Sequence, residues 1–471
     1  MTGSSARPGA QAHRAQAPGR AAIIGIGTAV PTTRLDQSAV RDLFAAQSGV
    51  DRLTKRLIAA AFDQSAIETR HTALPELGAH GAGTDEAGTG EASRSEFIDG
   101  DGRILSPPTG VRNDVYVRAA PGLYAAAARD ALAQAGVDAS EVTHVVTASC
   151  TGFFAPGPDF RLVRDLGLRT TVSREHLGFL GCAAALPALR SAARICAADP
   201  GAVVLVACAE ICTIHLLASN DPDQIVSSAV FADGAAAAIV TAARADDRPR
   251  IDLDRFTTAI TDDGEQAMGW TIGDHGFEMT LTAEVPRIVG REVRAALAPV
   301  LEGARERATG DPGTDDEGAD DEGARDADGA DPTGGEPRLW AVHPGGRSIL
   351  DRVEEALALP PDALRHSRDV LRENGNMSSA TILFILQRML ADAGLDDDSD
   401  RPGGTPLVAV AFAPGLTVEA ARMTVHTGIR PARSAARDLA EGAARGDAAD
   451  RDAESWPVRR RDTAPVLSAP R

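Results

Sequence analysis

The sequence predicts an α/β fold built as two similar halves. Three observations carry that expectation. Short continuous apolar runs recur along the chain, and each reads as a strand buried on both faces. Helical stretches separate them, which is the alternation of layered α/β proteins. The rhythm runs through twice, over residues 21–245 and again over 246–430, although no repeat is visible residue by residue.

Residues 1–20, rich in Ala, Gly, Pro and Arg without a period, read as a disordered tail. The run Ala21 to Ile26, ending at Gly27, is a strand, and helices follow over Asp36–Ala46 and Arg52–Phe62. Residues 77–95, dominated by Gly, Ala and Thr, read as a surface insertion. Pro121–Gly136 has Pro near its start and Gly at its end, the asymmetry of a helix. Strands are expected over Thr143–Ser149, Ala202–Cys208 and Ala235–Val240.

The second half opens with a strand near Arg250 and a helix over Ala283–Leu301. A strand Leu339–His343 then leads into a helix starting near Ser348. A helix Asn376–Ala393 follows, with strands Leu407–Phe412 and Met423–Thr427. Residues 303–336 interrupt this half, and their Asp, Glu and Gly content cannot bury a core, so they read as a disordered acidic loop. Residues 431–471 lack apolar periodicity and read as a flexible tail.

The formal charge of −19 over 471 residues is concentrated. From Asp311 to Glu336 there are eleven acids against one Arg, a net of −10. The remainder is mildly acidic and gives no electrostatic case for nucleic-acid binding. The five cysteines are odd in number and no CxxC or Cys/His spacing points to zinc. They read as reduced thiols of a cytoplasmic protein, with no secretory signal and no apolar run long enough for a membrane span.

Chemistry centres on Gly178-Phe-Leu-Gly-Cys182-Ala-Ala-Ala-Leu186. Small residues crowd one cysteine, and Pro187 is tolerated only in a helix's first turn, so a helix begins beside the thiol. The unpaired N–H groups and partial positive charge of such an end favour thiolate. Taken alone, Cys182 reads more readily as a small buried structural residue than as a nucleophile. A nucleophilic cysteine needs a base and a site for developing negative charge. His343 ends an apolar strand before Pro344-Gly345-Gly346, a loop that lets backbone approach a ligand. Asn376 lies in Gly375-Asn376-Met377-Ser378-Ser379 before an apolar helix, where it could serve as the N-cap. A neutral amide beside an imidazole would stabilise an enolate oxygen without quenching a thiolate.

In that order, Gly-Cys182-Ala-Ala-Ala-Leu-Pro-Ala-Leu-Arg, Ala-Val-His343-Pro-Gly-Gly and Gly-Asn376-Met-Ser-Ser-Ala resemble the bacterial chalcone-synthase-like type III polyketide synthases. Phe231-Ala-Asp-Gly-Ala-Ala, Thr151-Gly-Phe-Phe-Ala-Pro-Gly-Pro-Asp-Phe160 and Ala411-Phe-Ala-Pro414-Gly-Leu-Thr-Val-Glu419 add to the match, which covers roughly 21–430. The resemblance implies a thiolase-like fold with a layered α-β-α-β-α core, and a homodimer with a contact near residues 150–160. It also implies a Cys182-His343-Asn376 triad, in which His343 holds Cys182 as thiolate in an ion pair. Acyl-CoA would load Cys182, malonyl-CoA would extend it by decarboxylative Claisen condensation, and the chain would cyclise to a pyrone, resorcinol or naphthol. No metal or redox cofactor is implied, the CoA thioesters being substrates.

Departures from the family pattern mark the cavity. Two positions of gatekeeping phenylalanines in plant members are matched here to Leu216 and Met279, which favours an aliphatic starter. Cys150 stands where plant members have a cavity Thr; a thiol there resembles tetrahydroxynaphthalene synthases and leaves a malonyl starter open. Phe231 and Pro414 complete the expected cavity set, and Lys55, Arg56, Gly345 and Gly346 the CoA-binding set. The competing readings are a ketoacyl-ACP synthase III-like condensing enzyme and a non-catalytic thiolase-fold binding protein.

Overall fold

The computed structural model describes residues 20–81, 95–243, 248–301, 336–393 and 404–427. The expectations for 303–335, for 431–471, for 1–19 and for 82–94 therefore lie outside the described residues. In chain order the first half comprises β1 (Ala21–Ala29), β2 (Thr33–Asp36), α1 (Gln37–Ala45), α2 (Arg52–Asp63), β3 (Thr69–Thr72), α3 (Pro75–Gly81) and α4 (Thr109–Ala135). It continues with β4 (His144–Ser149), α5 (Pro158–Asp165), β5 (Ser173–Gly178), α6 (Ala185–Ala198), β6 (Val203–Ile211), α7 (Pro222–Val230) and β7 (Asp233–Ala242). The second half comprises β8 (Arg250–Ile260), β9 (Met268–Gly273), β10 (Gly276–Leu281), α8 (Val285–Leu301), β11 (Leu339–Val342) and α9 (Arg347–Leu357). It ends with α10 (Arg365–Asn374), α11 (Thr381–Ala393), β12 (Thr405–Ala413) and β13 (Thr417–His426).

The main sheet has the order β11-β12-β13-β8-β1-β7-β6-β4-β5. Read outward from its middle, each half repeats one plan. β1 pairs antiparallel with β7, β7 antiparallel with β6, and β6 parallel with β4. β8 pairs antiparallel with β13, β13 antiparallel with β12, and β12 parallel with β11. The halves join where β1 and β8 run antiparallel over Ala21–Ile23 and Ile251–Leu253, which places a local two-fold axis between them. The duplication invisible in the residues is thus present in the topology.

Side-chain alternation along the strands builds the layers. Ala236, Ala238 and Val240 of β7 share one core with Leu407, Ala409 and Ala411 of β12, and α6 and α11 supply its filling. Ala235, Ala237 and Ile239 face a second core with α4. Val408, Val410 and Phe412 face a third with α8 and α9. The result is the expected α-β-α-β-α stack, with α6 and α11 as its buried middle layer. Small residues set the close spacing: a Cβ on Gly27 of β1 would lie 2.2 Å from the Ala131 nitrogen of α4.

Three local expectations need correction. Helix α4 begins at Thr109, so Pro121 sits inside it rather than near its start. Val115, Tyr116 and Ala120 are buried with Tyr124 and Ala127, and that packing holds the helix through the proline. The Val117 carbonyl, which loses its partner to Pro121, lies on the exposed face where water can serve it. Residues 77–81 belong to α3, with Leu77 buried, so they are not part of a surface insertion. Asn376 precedes a single 3-10 turn, Ser378–Ala380, and α11 proper starts only at Thr381.

Candidate active site

The chain leaves β5 through two left-handed residues, Phe179 (φ 57°) and Gly181 (φ 62°), and turns into α6 by one 3-10 turn over Gly181–Ala183. Gly181 is required twice: by that φ, and because a Cβ there would lie 2.4 Å from Pro414 Cδ. The turn brings Cys182 to the head of a helix whose first residues are all buried, with Pro187 in the first turn as expected. Burial pushes the Cys182 thiol up to about 11, against a hydrogen bond with the Ser378 side chain that favours the thiolate.

His343 follows β11, and its N–H continues the ladder by donating to Val410 O at 2.8 Å. The side chain is 1% exposed, yet neither ring nitrogen has a hydrogen-bond partner. Burial pushes the imidazole down to about 3. Burial therefore works against the expected resting ion pair, since it favours the neutral form of both groups.

Asn376 is fixed through its backbone, its N–H donating to Val230 O at 2.8 Å and its carbonyl accepting from Ala232 N at 2.9 Å. Its Oδ1 accepts from Ser378 N at 2.9 Å, which orients the amide, and Nδ2 reaches Gly345 O at 3.5 Å. The side chain so caps the turn before α11, not α11 itself. Cys182 Sγ lies 4.0 Å from Asn376 Oδ1.

Cys182, His343 and Asn376 line one cavity of about 650 Å³. Its walls are largely aliphatic, with Leu57 and Ala60 of α2, Ile225 and Val226 of α7, and Val285 and Ile349 among them. A second space of about 20 Å³ meets the first at Cys182, and Cys150, Cys212, Trp270, Ser378 and Pro414 face it. Phe231, Met268 and Met279 line both and so form the constriction between them.

Most of the expected cavity set is found here, with Cys150 and Pro414 on the inner space and Phe231 and Met279 on both, while Gly345 and Gly346 of the expected CoA-binding set line the outer space. Leu216 is the exception. It packs against the α4 core, and its carbonyl accepts from Arg112 at 3.1 Å, so it faces neither space. Phe231, which lines both spaces, puts an aromatic ring at the constriction instead. Lys55 and Arg56 are exposed on α2, beside Leu57 at the cavity wall, and do not themselves line it.

One buried group was missed from the sequence. Glu210 is fully buried behind the inner space and accepts from Thr151 Oγ1 (2.7 Å), Ser379 Oγ (2.5 Å), Ser149 Oγ (3.1 Å) and Cys150 N (3.0 Å). Burial raises its pKa despite these donors. The signal was present: it is the single charge inside the apolar strand Val203–Ile211.

Comparison with known proteins identifies relatives of this chain. The chalcone and stilbene synthase family matches in its N-terminal domain over residues 102–244 and its C-terminal domain over 336–427. A bisdemethoxycurcumin synthase of Oryza sativa subsp. japonica is 32% identical over 443 residues, covering 90% of this chain and 97% of that protein. A probable polyketide synthase 1 of Dictyostelium discoideum is 28% identical over 84% of this chain, which spans 11% of that much longer protein. Among solved structures, PKS-I of the brown alga Ectocarpus siliculosus superposes with a TM-score of 0.73 at 26% identity, covering 87% of this chain and all of that one (100%). The C-terminal type III polyketide synthase domain of Steely1, a type I/III hybrid from Dictyostelium, gives 0.68 at 26% identity, covering 86% and 99%. Among the described residues no helix is long and apolar enough to cross a membrane. With a thiolase-like fold and both domain models matched, the chain belongs to the chalcone and stilbene synthase family of type III polyketide synthases, decarboxylating condensing acyltransferases.

Proposed function

We propose that this chain condenses an acyl-CoA starter with malonyl-CoA at Cys182. The observation that carries the reading is the orphaned imidazole: a buried His343 with both nitrogens unpaired, on the same cavity as a thiol and an oriented amide. Buried polar groups are ordinarily satisfied, so such an exception points to a ligand that completes it.

As the Cys182 sulfur attacks the starter thioester, its proton passes to His343, and the departing CoA sulfur takes that proton up. Neutral groups at rest and charge only during transfer suit a site where burial disfavours both ions. The imidazole and Asn376 Nδ2 then hold the malonyl thioester oxygen. The bond to the carboxylate breaks, CO2 leaves, and the electron pair becomes the enolate. The enolate carbon attacks the acyl carbonyl, the Cys182 sulfur departs and takes up one proton from solvent, and a chain longer by two carbons remains on CoA. The Cys182 N–H at the head of α6 is the natural donor to the tetrahedral oxyanion. Every atom is accounted for without a metal or redox cofactor.

The aliphatic outer walls support an aliphatic acyl starter over a flat aromatic one. Closure of the extended chain to a pyrone or resorcinol would follow within the same cavity. The five unpaired thiols fit a reducing, cytoplasmic setting. Purified protein incubated with malonyl-CoA and a series of acyl-CoA starters should release CO2 and form ketide products. Absence of both would reject the reading.

We further propose a homodimer across the outer edge of β5. That edge strand is exposed along Ser173–His176, and Phe153, Phe179 and Leu180 form an exposed apolar cluster beside it, with Phe153 stacked on Phe277 at 6.2 Å. A bare edge next to apolar surface is a pairing surface. Sedimentation velocity should give a dimer for the natural chain and a monomer for Phe153→Glu. An unchanged dimer in the variant would place the interface elsewhere.

A further inference from the structure

Helix α7 ends at the site, and the carbonyls of its last turn have no partner within the helix. Each is taken by a group from elsewhere in the chain. Val230 O accepts from Asn376 N at 2.8 Å, and Ala229 O accepts from Gln37 Nε2 at 2.8 Å. Ser228 O and the capping Phe231 O both accept from one nitrogen, Arg70 Nη1, at 2.8 and 2.6 Å. Arg70 lies on β3 and is 1% exposed. Its charge sits at the negative end of the α7 dipole, with the Phe62 ring 5.8 Å from Cζ, and both favour a buried cation there.

The same side chain reaches the second half. Gly375 (φ 69°) packs on its stem, since a Cβ there would lie 3.0 Å from Arg70 Cδ. β3 is also tied to the end of α10, just before that glycine: Glu68 N–H donates to Arg372 O at 2.7 Å, and Thr69 Oγ1 to Glu373 O at 2.7 Å. Arg70 thus braces both sides of the short parallel bridge between Phe231 and Asn376. One side carries the ring at the constriction, the other the amide of the site.

A guanidinium is a costly occupant of that place. Its Nε and Nη2 are buried and have no hydrogen-bond partner among the described residues. Burial pushes it down to about 10, against the charge of Asp233, so it stays charged near neutral pH. The oxygens of Asp233 accept from Ala73 N, Thr213 N and Thr213 Oγ1 instead. An apolar side chain of similar volume would cost less to bury, but could not hold two carbonyls at one point.

We propose that Arg70 is a positioning residue for the condensation: by fixing the Phe231–Asn376 bridge it sets where the amide and the ring stand relative to Cys182. The proposal rests on the condensing reading given above and deepens it. Decarboxylation needs only the malonyl thioester oxygen held. Condensation also needs the enolate carbon against the acyl carbonyl, where a misplacement of about 1 Å can cost ~10²-fold. Loosening the bridge therefore uncouples the two steps. An enolate that misses the acyl carbonyl takes a proton from solvent and leaves as acetyl-CoA.

The test gives malonyl-CoA and hexanoyl-CoA to the full natural chain, to Arg70→Met and to Arg70→Gln, and reads CO2, acetyl-CoA and ketide products. The ratio of CO2 released to ketide bonds formed does not depend on how much of the protein is folded, so a merely structural role leaves it unmoved. Ketide formation is expected to fall by at least about tenfold in both variants, with that ratio rising at least about threefold and acetyl-CoA making up the difference. A smaller rise of the ratio in whichever variant folds overturns the proposal. So does amide hydrogen exchange at Ala232 and Asn376 of the natural chain as fast as in its exposed loops, a measurement that stands even where neither variant folds. A natural chain that neither releases CO2 nor forms ketides overturns the condensing reading itself and this inference with it, a result distinct from an unmoved ratio in a chain that condenses.

Discussion

Replacing Cys182 by Ala should abolish ketide formation, by at least about 10⁴-fold, while the protein stays folded. The thiol is the only sulfur nucleophile among the residues lining the cavity, whose hydroxyls, on Ser65, Thr282 and Ser348, are far weaker nucleophiles. Its sulfur lies a long 4.0 Å from Asn376 Oδ1, and its chain neighbours Ala183, Ala184 and Ala185 are already alanines packed without exposure above 1%. Removing one sulfur from such a site costs little stability, of the order of 1 kcal/mol or less. Malonyl-CoA decarboxylation should be spared in part, because the imidazole and amide that hold the enolate oxygen remain. The check is product mass and CO2 release measured side by side, with a thermal melt. Ketide products from the Ala variant at even a hundredth of the natural rate would remove Cys182 from the role of acyl carrier.

The layers were legible where burial is two-sided. β1, β4, β6, β7, β11 and β12 are continuous apolar runs because both faces meet a core, and each was placed within a few residues. β5 was not legible. Its Ser173-Arg-Glu-His-Leu-Gly178 is exposed over most of its length, so burial imposes no hydrophobic pattern on it, unlike β11 at the opposite edge, which is buried. Helices α5 and α10 went unseen for a related reason: Pro-Asp-Phe-Arg-Leu-Val-Arg-Asp and Arg-His-Ser-Arg-Asp-Val-Leu-Arg-Glu-Asn bury only two and four residues each.

The three site groups could be found because each sits at the end of an element among small residues, a local signature. What local pattern cannot supply is direction. Leu216 and Phe231 both follow buried stretches, and only the fold shows that Leu216 turns to the α4 core, under the hold of Arg112, while Phe231 faces the cavity. Trp270 carried no signal at all, since the inner space it faces exists only once β9, β6 and the turn before α11 are assembled.

Replacing His343 by Gln should move activity and stability in opposite directions. Malonyl-CoA decarboxylation should fall by about 10²–10⁴-fold, the scale of losing a placed acid–base group that also donates to a developing oxyanion. Stability should rise, and only in acid. The folded chain holds the imidazole near 3, against an ordinary value of 6.5. An unfolded chain takes up that proton as the pH drops below 6.5, while the folded one resists until about 3. The unfolded state therefore binds more protons across this window, and the natural chain loses stability as pH falls through it, by up to about 1.4 kcal/mol per pH unit from this one group. Gln does not titrate, so the variant escapes that loss. Buried Asp233, whose carboxyl is raised to about 6 chiefly by burial, works in the reverse sense between its folded and unfolded values, and His215 in the same sense as His343. Both are present in either protein and cancel in the difference. Urea unfolding of the two proteins at pH 7 and pH 5 reads that difference directly. Equal losses on acidification would mean that His343 is solvated or paired in the resting protein, and would take with it the argument that an unsatisfied imidazole waits there for a substrate oxygen.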